Sequence, residues 1–191
     1  MARSSYRANT GRCLADPRSW WDAPGQQVGF YPSGRGPDRS HWRGPFASVG
    51  TPTGRPWPYM EDIPKYKNIT DGVSNTLFIG EGTSKSSTGS TDAAEANRRR
   101  RTFWAYTYTS YNKSGVVAQT RTLLFDYARC VDVGGPGGSN PCKRAWEALH
   151  PGGLHFAFGD GSVHFISTDI DMEIFAGMAT MAGGEVNRPY Q

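Results

Sequence analysis

Three of the four histidines in this 191-residue chain stand in one stretch, HPGGLHFAFGDGSVHFI (150–166). Imidazole is the commonest protein ligand for transition metals, so the first chemistry to weigh is metal binding. His155 and His164 fall on either side of Gly159-Asp160-Gly161. In a hairpin they could face each other across the ladder and hold an ion. Strand histidines at solvent faces are common and no third ligand stands out, so polar residues of a hairpin are the stronger reading. Asp169, Asp171 and Glu173 form a D-x-D-x-E string whose oxygens suit calcium. They suit the first turn of a helix better, because carboxylates favour its positive end. No G-x-S-x-G elbow is present, and GEG and GDG precede no phosphate-cradling helix. These residues therefore point away from an enzyme and imply no cofactor.

The elements that must position these groups can be read from periodicity. Leu154, Phe156 and Phe158 alternate into the Asp-Gly turn, and Val163 and Phe165 continue after it. Asp-Gly supplies the backbone angles of a tight hairpin. Ile170, Ile174, Met178 and Met181 recur at helical spacing. Thr168 and Asp171 approximate a capping box, and Gly183-Gly184 stops the helix. Upstream, a turn at Asp71-Gly72 leads into a strand at Leu77–Ile79. TFWAYTYTSY (102–111) alternates with period two, and a further strand is expected around Thr122–Tyr127. Nine of the thirteen prolines fall in residues 15–65, which excludes a long helix there. Trp20, Trp21, Phe30, Trp42, Phe46, Trp57 and Tyr59 are too many aromatics for a disordered linker, so an ordered irregular insertion is expected. Trp42 and Trp57, with Arg43 and Arg55 beside them, are its expected contact residues.

Net charge is +4 and the pI is about 9.0. The one dense basic run, Arg98–Arg101, makes no extended face, so a solvated loop is favoured over nucleic-acid binding. No apolar run approaches the roughly 20 residues of a membrane span, and mean hydropathy is −0.59. Cys130 and Cys142 bracket a Gly/Pro-rich loop with no zinc-type spacing, which favours a disulfide over two reduced thiols. A disulfide places the protein in an oxidising, extracytoplasmic compartment. Cys13 is then left over.

Three phrases together, NITDGVSNTLFIGE (68–81), HPGGLHFAFGDGSVHFI (150–166) and IDMEIFAGMATMAGGEV (170–186), resemble the H-x9-DG, prepilin-processing-associated family of bacteria. The signature falls on His150, Asp160 and Gly161, and SSYRANTGR near the start resembles a further family segment. The resemblance implies a pilin-like head of α+β class: a twisted antiparallel sheet, a packed C-terminal helix and the irregular insertion at 15–65. It implies that the motif residues brace the hairpin. Members usually carry an apolar N-terminal helix that is not visible in these residues, so one globular head spanning 1–191 is expected. Membrane contact is then expected only through such a helix. The implied role is a structural pilin- or pseudopilin-like subunit whose partners are protein subunits, in a homo-oligomer or filament. The alternatives are a secreted glycan- or protein-binding module and a metal-dependent hydrolase.

Overall fold

The computed structural model describes residues 4–13, 40–46, 64–82, 112–121 and 145–185. They form strands β1 (Tyr6–Cys13), β2 (Leu77–Glu81), β3 (Lys113–Val117), β4 (Gly153–Phe158) and β5 (Val163–Ser167), and helix α1 (Met172–Ala179). The sheet order is β3-β1-β2-β4-β5. Three pairings are antiparallel, but β1 and β3 run parallel. The α+β class stands, and the expected antiparallel sheet is corrected to a mixed one. A parallel neighbour needs a long crossover, which the chain between Cys13 and Lys113 provides.

Apolar alternation accounts for the β4–β5 hairpin. Leu154, Phe156, Phe158 and Ile166 are buried on the inner face. Val163 and Phe165, expected to continue that face, pair with Ala157 and His155 and are exposed on the opposite side. The reason is the hairpin register, which brings Ile166 rather than Phe165 opposite Leu154. Gly161 takes φ +87°, a left-handed conformation that a side chain resists. Asp160 Oδ1 accepts from Ser162 N at 2.9 Å and from Ser162 Oγ at 2.7 Å. The Ser162 hydroxyl, and then its amide, hold the Asp160 carboxyl below the ordinary range.

The core lies where α1 meets the inner face. Phe156 packs edge-on against Trp146 at 5.1 Å and against Phe175 at 5.4 Å. Burying one such ring stabilises the fold by about 1.5–3 kcal/mol. The close approach depends on Gly80, where a Cβ would lie 2.3 Å from Phe156 and 2.7 Å from Trp146. Beneath them Asn9, fully buried on β1, donates through Nδ2 to the carbonyls of Leu77 and Ala179, both at 2.8 Å. Its Oδ1 accepts from Gly11 N at 2.9 Å, so one amide ties β1, β2 and the end of α1 together.

Asp171 is the N-cap of α1, accepting from Glu173 N and Ile174 N. The expected capping box with Thr168 is corrected to this single-residue cap. Of the residues at helical spacing, Met178 and Met181 are buried and Ile170 packs against the core, but Ile174 departs from the expectation. Met172, Phe175, Ala176, Met178 and Ala179 are buried, while Ile174 is exposed. Past the helix, Asp71 carboxylate oxygens accept from Gly183 N at 2.7 Å and Gly184 N at 2.9 Å. Helix α1 ends earlier than the expected stop at Gly183-Gly184, at Ala179 with Thr180 as its C-cap. The polar turn before β2 holds that glycine pair over a hundred residues away in sequence.

Within the described part of the Pro-rich insertion, Ser40–Trp42 form a 3-10 turn and Arg43 bridges to Gly11. Arg43, expected at an exposed contact surface, is only 7% exposed, because this segment closes over the β1 bulge. The guanidinium beside Trp42 is instead that of Arg12, 4.5 Å from the ring centroid. Cys13 is buried at the end of β1, with Sγ 3.7 Å from the Gly11 carbonyl. Trp57, Arg55, Cys130, Cys142 and the strands expected at 102–111 and 122–127 lie outside the described residues.

Candidate functional site

Side-chain parity along β4 and β5 decides which histidines can act together. The register pairs His155 with Phe165 and Phe156 with His164. Paired residues share a face and successive residues alternate, so His155 and His164 lie on opposite faces. The alternative in which His155 and His164 together hold an ion is thereby overturned. His164 packs edge-on against Phe158 at 5.1 Å, with Nε2 3.0 Å from Ser162 Oγ.

His155 instead meets Glu81 and His150. After Gly80 pairs with Phe156, the main chain of β2 diverges from β4, and the Glu81 carbonyl accepts from Glu147 N at 3.1 Å. The Glu81 side chain takes over the lost ladder position, Oε2 accepting from the His155 amide at 2.6 Å. The segment held by Glu147 then bends at residues 149–152 and brings His150 back over the strand. His150 Nε2 lies 3.1 Å from Glu81 Oε2, and His155 Nδ1 lies 3.4 Å from the same oxygen. The two imidazoles meet edge-on at 5.2 Å, and the Phe165 ring lies against both, at 5.9 and 5.2 Å.

These donor atoms lie within 4.8 Å of one another, and theirs is the group of metal-ligand type among the described residues. Asp169, Asp171 and Glu173 do not form another. Asp171 caps α1, and Glu173 pairs with Arg12 at 2.8 Å. Helix capping, the reading favoured from the sequence for Asp171, is what the structure shows. Of the sequence candidates, the fold joins His150 to His155 and leaves Asp160 and Gly161 at the far turn. Glu81 escaped notice, although it ends the phrase NTLFIGE in the resemblance.

The cluster sits at one edge of an open sheet face. Register places Tyr6, Ala8, Ile79, Glu81, His155, Ala157, Val163 and Phe165 together on the side away from the core. On that face Tyr6 is 60% exposed, Val163 62%, Phe165 49% and Ile79 39%.

Fold and site together define an α+β domain whose described residues form a mixed five-stranded sheet that is covered on its inner face by a C-terminal helix and carries a histidine–carboxylate cluster on its outer rim. Over residues 3–173 the chain matches the family described as "Protein of unknown function (DUF1559)", and it belongs to that family. No curated protein and no solved structure matches it.

Proposed function

We propose that this domain is the head of a structural, pilin- or pseudopilin-like subunit in an extracytoplasmic assembly, and that its outer sheet face docks on a second subunit of the same kind. The observation that carries this reading is the exposed apolar row of Tyr6 on β1, Ile79 on β2, and Val163 and Phe165 on β5. A row of this kind marks a contact surface when it is contiguous. Self-association suits it, because the same flat face on two copies is complementary to itself through a two-fold axis. The resemblance of the His150–Asp160–Gly161 segment to the prepilin-associated type supports the same role, as does the proposed Cys130–Cys142 disulfide.

A photo-crosslinking residue at Val163, in the full-length protein expressed in its own cells, tests the reading. Crosslinked dimers in the envelope fraction, abolished by Ile79→Lys, are expected. Monomeric protein confined to the cytosolic fraction would overturn both the role and the compartment.

A further inference from the structure

We propose that Glu81, His150 and His155 bind one divalent transition-metal ion, with Zn2+ the ion their chemistry fits. Two imidazoles and one carboxylate form a donor set used by zinc, whereas a single carboxylate is a poor site for calcium or magnesium. The spacing supports the same conclusion. Zinc bonds of roughly 2.0–2.1 Å in a tetrahedron separate neighbouring donors by about 3.3 Å. Glu81 Oε2 stands 3.1 Å from His150 Nε2 and 3.4 Å from His155 Nδ1, so two edges of the tetrahedron are already in place. The His–His edge closes by small ring rotations, since all three donors lie within 4.8 Å.

The carboxylate is already oriented for this role. Glu81 Oε2 accepts from the His155 amide at 2.6 Å, and His150 Nε2 lies 3.1 Å from Oε2 and 3.3 Å from Oε1. A cation seated between the imidazoles and the carboxylate replaces the imidazole protons and leaves the amide bond intact. The carrier is rigid, because Glu81 and His155 stand on paired strands and the amide bond orients the carboxylate. Phe165 walls one side of the rings. Three protein ligands leave a fourth position, open to the exposed side of the sheet, for water or a donor from another molecule. This inference stands apart from the assembly role, since it concerns one chain in solution.

The test is calorimetric titration of the chelator-treated, dialysed full chain with ZnCl2, repeated with Co2+ to read the visible absorption of a tetrahedral site. One ion per chain is expected, with Kd at or below about 10 μM. His150→Ala and His155→Ala should each weaken binding at least about tenfold, while His164→Ala, on the opposite face, should bind as the wild type does. Glu81→Gln keeps an oxygen for the His155 amide but loses the charge, so it should fold normally and still bind about tenfold more weakly or worse. Zinc at a hundred-fold excess over Kd should raise the wild-type Tm by roughly 5–10 °C. Folded wild-type protein showing no saturable zinc binding below about 100 μM would overturn the proposal. So would wild-type affinity in His150→Ala, His155→Ala and Glu81→Gln.

Discussion

Replacing Asn9 should damage this fold more than any surface change, and the order of two replacements tests why. Its Nδ2 group donates to the carbonyls of Leu77 and Ala179, and its Oδ1 accepts from the Gly11 amide. Only an amide nitrogen can face two carbonyls, so the orientation of the side chain follows from its neighbours. Asn9→Ala leaves two carbonyls and one N–H short of a partner in a site closed to water. Each such group costs about 1–3 kcal/mol, less what relaxation recovers, for a total of roughly 2–4 kcal/mol. At about 2–4 °C per kcal/mol for a chain of this size, a loss of ~3 kcal/mol lowers Tm by roughly 6–12 °C. Asn9→Asp has nearly the same shape, yet it removes both donors and sets a negative oxygen against two carbonyls. It should therefore be worse than alanine. Urea unfolding followed by tryptophan fluorescence measures both, because Trp146 is buried beside Phe156. A change under about 0.5 kcal/mol for Asn9→Ala, the range of ordinary surface substitutions, would refute the reasoning. So would an aspartate milder than alanine.

Two further outcomes follow from the hairpin turn. Gly161→Val should cost about 1–3 kcal/mol through backbone strain alone, because a Cβ there meets nothing within 4 Å. Gly161→Asn should cost clearly less in the same denaturation assay, since asparagine enters the left-handed region readily. Asp160 titrates below its ordinary value of 3.8 in the folded state, so its stabilisation of the turn is complete above that pH and is lost as pH falls through the lower folded value. Urea midpoints measured from about pH 5 to about pH 2.5 should fall more steeply for wild type than for Asp160→Asn.

Period-two patterning made β4 and β5 legible as strands, and Asp160-Gly161 marked the turn between them, but it put Val163 and Phe165 on the buried side, where the register instead places Ile166. Helical spacing likewise marked α1 and part of its inward side, since Met178 and Met181 are buried. Ile174 satisfies the spacing and stays exposed, while Phe175 is buried because the Phe156 ring waits for it across the interface. β1 was illegible for the opposite reason. Arg7, Asn9 and Thr10 look like loop residues, and they are buried because distant partners satisfy them: Ser114 and Ala145 for Arg7, Leu77 and Ala179 for Asn9, Ser114 for Thr10.

The chain's own order of residues determined that a hairpin, a helix and a cluster of histidines would exist, since these depend on local pattern and local turn chemistry. Which histidines could act together was decided by the tertiary structure alone. Side-chain parity in a hairpin reverses with a one-residue shift of register, so His155 and His164 were separated to opposite faces by a feature that composition and spacing do not reveal. His150 and Glu81 are 69 residues apart in sequence, and they meet only because β2 lies beside β4 and the Glu81 carboxylate completes the ladder where the main chain leaves it.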